Sequence, residues 1–219
     1  MDRPNPWLSW AYVHDNWGDI AFRLEQHTSL TVEAIIIAFA IALPLGAAAH
    51  FAPRLAGLIV GTSSVFYTIP SLALFGILAP YTGIGRTTVL IGLVSYALHA
   101  LLRNIVTGLP GVDPDVVDAG RGLGYGRIKL LWLVELPNAL PSVIAGLRVA
   151  TVTTVALATV GVVVGFGGLG QLMFRGFYRG YNAEVATAGL LCVALALVLD
   201  LGLLVLGRVM TPWLRGTRA

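Results

Sequence analysis

Residues 185–208 read VATAGLLCVALALVLDLGLLVLGR, an apolar run whose sole internal charge is Asp200 before Arg208 closes it. A helix rising 1.5 Å per residue needs about 20 residues to cross the roughly 30 Å hydrocarbon core of a bilayer, so this run reads as a membrane span. Four runs of the same character lie upstream, at about 29–50, 55–80, 87–103 and 139–165. The whole chain agrees with them. Of its 219 residues, 57% are hydrophobic and 11% charged, and mean hydropathy is +0.82, whereas soluble domains carry about 25% charged residues. The expected fold class is an all-α membrane protein with about five transmembrane helices, multi-pass in the cell (inner) membrane, because only hydrogen-bonded helices or closed barrels satisfy their backbone in lipid.

The first 28 residues hold Asp2, Asp15, Asp19 and Glu25 and no early apolar core, so they do not read as a secretory signal. Trp7, Trp10, Tyr12 and Trp17 suit an interfacial segment instead. The expected organisation is an extracytoplasmic or interfacial segment 1–28, a transmembrane domain 29–209 and a cytoplasmic tail 210–219. With the N-terminus outside and the C-terminus inside, the inner segments hold eight basic residues (Arg54, Arg103, Arg121, Arg127, Lys129, Arg208, Arg215, Arg218) and the outer ones five (Arg3, Arg23, Arg86, Arg175, Arg179). That bias favours this orientation. It also accounts for the net charge of +3 without a nucleic-acid partner. The single cysteine, Cys192, leaves no intrachain disulfide and no thiolate metal site.

The longest inner segment, about 104–138, is the most polar part of the interior of the chain. Asp113 before Pro114 reads as a helix start, and Gly120, Gly122, Gly124 and Gly126 end that short helix, giving a cytoplasmic helix-turn-helix over roughly Pro114 to Leu123. The lone lysine, Lys129, follows Ile128, so no phosphate-binding loop of the form G-x-x-x-x-G-K-[ST] exists. Any ATP hydrolysis must come from another chain. Gly165, Gly167 and Gly170 have G-x-G-x-x-G spacing but follow an apolar run rather than a strand, which argues against a dinucleotide site. Gly57 with Gly61, and Gly161 with Gly165, have the spacing that lets helices approach closely. The stretch 165–184 is too interrupted to cross and reads as a re-entrant or surface element on the outer side. No H-E-x-x-H or G-x-S-x-G motif is present, so neither a metal site nor an enzyme is expected.

Within the inner loop, Asp118-Ala119-Gly120, three residues, Gly124, nine residues, Val134, one residue, Leu136-Pro137 resembles the EAA loop of binding-protein-dependent ABC importer permeases. Every spacing matches; Asp stands for Glu and Gly for the second Ala, the latter expected to soften the helix at Gly120. The resemblance extends from His27 onward. Residues 67–74 (Tyr67, Thr68, Ile69, Pro70, Ser71 and on through Leu74), Arg103-Asn104, residues 145–148 and the glycine-rich 165–170 (Gly165, Gly167, Gly168, Gly170) look like the osmoprotectant branch. That branch imports quaternary ammonium solutes such as glycine betaine, carnitine and choline. The resemblance implies a methionine-importer-like (type I) permease fold, with the loop docked on a partner ABC ATPase that binds ATP and Mg. It also implies no cofactor on this chain, a second permease copy or sister permease, and an extracytoplasmic substrate-binding protein. ATP binding would open the pore outward and hydrolysis would reset it. Gly165, Gly167, Gly168 and Gly170 are then outer-gate candidates.

Pro70 lies near the middle of the second run, where loss of a backbone donor should kink the helix. Ser64, Thr68 and Ser71 are expected to share one face beside Tyr67, a polar stripe that either lines a solute path or bonds neighbouring helices. Arg148 and Asp200 both fall roughly 12 Å deep at 1.5 Å per residue and are expected to pair. Glu33 and His99 are expected nearer span ends. The rival classes are a secondary transporter or channel, which would favour inverted repeats or midplane carboxylates, and an ABC permease for another zwitterion or amino acid.

Overall fold

In the computed structural model, residues 5–213 are described; Asp2, Arg3, Arg215 and Arg218 of the charge tally lie outside them. The described chain is helical throughout. A short helix α1 (Trp10–Asp15), capped by the Ser9 hydroxyl accepting the Tyr12 amide at 3.2 Å, leads into α2 (Trp17–Phe51). Then come α3 (Pro53–Thr68), α4 (Ser71–Thr82) and α5 (Arg86–Gly108). The loop segment contributes α6 (Pro114–Gly122) and α7 (Arg127–Leu130). A π turn over Leu131–Glu135 joins α7 to α8 (Leu136–Ala158), which tightens into a 3₁₀ turn at Thr159–Val164. An amphipathic α9 (Leu169–Arg179) and the long α10 (Asn182–Met210) complete the chain.

Four of these units are long and apolar enough to span a bilayer: α2, α5, the continuous stretch Arg127–Val164 and α10. The fifth is the pair α3 and α4, bent by 97°. Pro70 therefore does more than kink the second run. It breaks it, because a residue before proline is pushed out of the helical region, and Ile69 and Pro70 adopt extended dihedrals (ψ 127° and 136°). The expected boundary at 28/29 falls inside α2, whose helix runs unbroken from the polar Asp19–Glu25 turns into the apolar run.

α5 is the centre of the bundle. Its buried Ala97, Leu101, Leu102 and Ile105 meet Ala38 and Ala42 of α2 and Ala139, Val143 and Ala150 of α8. Small residues let these helices approach, as they do in membranes where no hydrophobic drive brings helices together. A Cβ on Gly46 of α2 would collide with the Ile105 side chain, and one on Gly146 of α8 would sit 2.7 Å from the Asn104 Cβ. Of the two glycine pairs that spacing singled out, one makes close contacts and the other does not: Gly161 packs on Val89 and the Phe166 carbonyl, whereas a Cβ on Gly57 or Gly61 would meet nothing within 4 Å.

α10 faces outward. Leu190, Val193, Leu197, Val198, Leu201 and Val205 are all exposed, a continuous apolar surface suited to lipid.

Candidate functional site

The loop 104–138 folds into an elbow whose shape follows from its sequence. Asp113 caps α6, its carboxylate accepting the Asp115 amide at 2.9 Å, and Pro114 occupies the first turn, where no amide is needed. Just past the end of α6, Gly124 takes φ +77°, so that the Tyr125 amide reaches back to the Gly120 carbonyl at 3.2 Å and the Gly124 amide to the Arg121 carbonyl at 2.9 Å. A left-handed residue at this position favours glycine. The chain then reverses into α7. Gly120 is buried against it: a Cβ there would lie 2.7 Å from Leu130 Cδ1 and 3.1 Å from Val134 Cγ2. The glycine thus brings α6 close to the π turn rather than merely softening the helix.

The matched residues divide by role in the elbow. Gly120, Gly124 and Val134 set its shape, Leu136 packs on the central core, and Pro137 lies in the first turn of α8. Asp118 and Ala119 are exposed on the outward side with Val116, Leu123 and Ile128. Asp118 pairs with Arg121 at 2.8 Å, but both are about two-thirds exposed, a situation in which an ion pair contributes little. One residue escaped sequence reasoning. Glu135, the unspecified position between Val134 and Leu136, is buried, and its carboxylate lies 3.0 Å from Nε2 of His50 at the end of α2. The signal for it was a single acid in the apolar stretch 130–136. The pair ties the elbow to the first span beside a cavity of about 580 Å³ that also exposes Arg121, Tyr125 and Arg127.

At the corner between α3 and α4 the expected polar stripe comes apart. The Ser64 hydroxyl donates to its own helix at Val60 and that of Thr68 to Val65, each at 2.8 Å. Ser71 lies beyond the 97° bend and does not share their face. The carbonyl freed at the break, that of Ile69, accepts the Tyr96 hydroxyl of α5. Tyr67 stays half-exposed and stacks on His99, with centroids 4.7 Å apart, while Tyr96 meets it edge-on at 5.9 Å. His99 Nδ1 is 3.2 Å from the buried Ser63 hydroxyl. His99 is therefore not near a span end but within α5 at the corner.

Arg148 of α8 donates from Nε and Nη2 to the two carboxylate oxygens of Asp200 on α10, each at 2.7 Å. A two-bond arrangement of this kind matches the guanidinium fork to the carboxylate. The pair lies in a groove of about 810 Å³ between the two helices, lined apart from Thr153 by apolar residues such as Val149, Val152, Val193 and Leu197.

Gly165, Gly167 and Gly168 lie in the turn that joins the 3₁₀ segment to α9, and Gly170 in the first turn of α9, at the opposite end of α2 from the elbow. Gly165 and Gly168 have φ of +82° and +52°. A Cβ on Gly168 would lie 2.8 Å from the His27 Cα, and one on Gly170 would collide with the Thr159 carbonyl. His27, fully buried, presents Nε2 to the Val155 carbonyl at 3.0 Å and accepts the Leu169 amide on Nδ1 at 3.3 Å. Arg175 of α9 bridges Asp19 of α2, at 2.7 Å, and Glu184 of α10. Burial disfavours its charge, but the hydrogen bonds to both carboxylates outweigh burial and hold the guanidinium protonated. Glu33 meets Arg86 near the same end. Among the described residues no group of His, Cys, Asp and Glu is placed to hold a metal ion.

Residues 34–216 match the family model described as binding-protein-dependent transport system inner membrane component. The chain is 34% identical to the carnitine transport permease protein OpuCB of Listeria monocytogenes, over 92% of this chain and 93% of that one. It is 33% identical to the choline transport system permease protein OpuBB of Bacillus subtilis, over 92% and 93% of the two chains. With the osmoprotectant import permease protein OsmW of Salmonella typhimurium, the identity is 36% over 92% and 96% of the two chains. Among solved structures, an inward-facing MetNI methionine ABC transporter superposes with a TM-score of 0.78 at 24% identity, covering 86% of this chain and 94% of that one. An amino acid ABC transporter gives 0.70 at 18% identity, covering 94% and 98%. These two likenesses establish the fold.

Proposed function

The chain belongs to the family of binding-protein-dependent transport system inner membrane components, and on that premise we propose that it is the permease that carries a quaternary ammonium osmoprotectant inward. A permease of this family is a transport subunit, not an enzyme. The cargo reading rests on relatives named for carnitine, choline and osmoprotectant import along nearly their whole length.

The observation that carries the mechanism is the elbow. Its turn is closed by amide hydrogen bonds back to Gly120 and Arg121, it exposes Val116, Ala119 and Leu123 to a partner, and Glu135 ties it to α2 through His50. A push delivered to α6 by the ATPase therefore moves spans and not a slack loop, as coupling between distant sites requires. In our reading the transmembrane part is 29–209, with loop 104–138 and tail 210–219 in the cytoplasm and 1–28 outside or at the interface. ATP and Mg bind the ATPase alone, two permeases form the pore, and an extracytoplasmic binding protein delivers the cargo. Asp118, Ala119, Gly120, Gly124, Val134, Leu136 and Pro137 form the coupling site. The 165–170 turn, locked by His27, closes the outer end, and the α3–α4 corner lines the path.

The test is uptake into proteoliposomes holding the permease, its ATPase and binding protein. Labelled glycine betaine, carnitine or choline should accumulate only with ATP inside the compartment that the ATPase faces. Transport driven by an ion gradient with no ATPase would overturn the importer reading. Accumulation solely of an amino acid or sulfonate lacking a quaternary nitrogen would overturn the cargo.

A further inference from the structure

The corner between α3 and α4 exposes what hydrocarbon does not tolerate: a non-helical backbone at membrane depth, admitted only where protein or water covers it. Beside it are the half-exposed Tyr67 and Thr68. The exposed face of α10 contrasts with it, being aliphatic.

At that corner three rings are assembled on purpose-built supports. Tyr96 holds the freed Ile69 carbonyl with its hydroxyl and turns its edge to Tyr67. His99 is oriented by the buried Ser63 and lies flat beneath Tyr67, the two planes 27° apart. Tyr67 is thus fixed in orientation without being covered. An aromatic face held in this way attracts a cation through its quadrupole, most strongly where water is scarce, and recognition of quaternary ammonium groups is the chief use of that attraction. Arg103, one turn along α5 from His99 and exposed, adds a positive charge to the same face. A cargo that brings its own carboxylate therefore fits better than a bare cation.

We propose that the Tyr67–His99 stack, backed by Tyr96, is a station in the permease itself that contacts the quaternary ammonium group of a zwitterionic cargo during translocation. The proposal rests on the cargo reading above. It adds that selectivity is exercised by this chain as well as by the binding protein that hands the cargo over.

The experiment replaces Tyr67 in the complete reconstituted transporter with phenylalanine and then with mono-, di- and trifluorinated phenylalanines by nonsense suppression. These rings are nearly isosteric, and each fluorine withdraws charge from the ring face. Tyr67→Phe sets the reference, and glycine betaine uptake should fall stepwise from it along the fluorinated series, reaching a loss of about five- to thirty-fold, the range expected when a desolvated cation–π contact is removed. ATP hydrolysis stimulated by the loaded binding protein should stay level, since nothing at the elbow changes. Tyr67→Leu should match the trifluorinated ring. Uptake that is flat along the series, or lost equally in all its members including Tyr67→Phe, overturns the station while leaving the cargo reading standing. A wild-type transporter that imports no quaternary solute under ATP, yet imports another zwitterion, overturns both.

Discussion

Arg148 and Asp200, on separate spans, engage through two parallel hydrogen bonds of 2.7 Å. The groove around them is apolar, so neutralising one partner strands the other's charge among aliphatic groups. Arg148→Met and Asp200→Leu should each lower the melting temperature of the detergent-solubilised protein by several degrees. The double variant should recover most of the loss, because an apolar pair needs no partner. Differential scanning fluorimetry of the three proteins checks this; additive losses would show that the two residues act independently.

Gly120 sits against Leu130 and Val134. The nearest atom, Leu130 Cδ1, is the end of a flexible side chain, and Val134 must give by only a few tenths of an ångström, so Gly120→Ala should be tolerated, with ATPase copurification near wild type. Gly120→Val over-fills the contact at a cost of about 1–3 kcal/mol and should displace α6, reducing copurification and ATP-driven uptake together.

Gly124 holds the turn after α6 at φ +77°. Gly124→Ala should cost about 1–2 kcal/mol locally, read as faster amide exchange in residues 120–126 while the spans keep their protection.

Glu135 is buried and meets His50 across the base of the elbow. Glu135→Gln keeps a polar partner for His50 and should retain coupling. Glu135→Ala removes it and should leave the ATPase docked but loosely coupled, seen as fewer solutes imported per ATP hydrolysed.

His27 uses both ring nitrogens, one toward the Val155 carbonyl and one for the Leu169 amide. His27→Phe fills the volume but leaves two buried backbone groups unpaired, at about 1–3 kcal/mol each. Increased proteolytic cleavage within 165–170, with an intact elbow, is the expected outcome.

Much of this was legible along the chain because it is local or periodic. The spans follow from length and hydropathy, the start of α6 from Asp113-Pro114, and the elbow from its spacing. The kink at Pro70 was legible as a perturbation but not as a 97° break, since the size of the bend depends on what receives the freed carbonyl, and that donor, Tyr96, comes from another helix. Which small residues pack was likewise hidden. Spacing singles out Gly57 and Gly61, which meet nothing within 4 Å, and passes over Gly46 and Gly146, which fit around Ile105 and Asn104.

The membrane address, the family and the location of the energy source on another chain were all readable from the order of residues, because they depend on hydropathy, on short spacings and on a missing phosphate loop. Folding in three dimensions was needed to bring Glu135 to His50, to stack Tyr67 on His99 and to set His27 behind the 165–170 turn. Each of these joins residues far apart in the chain. Their meeting depends on the rotation and depth of whole helices, which follow from packing small residues around α5 and not from any local preference.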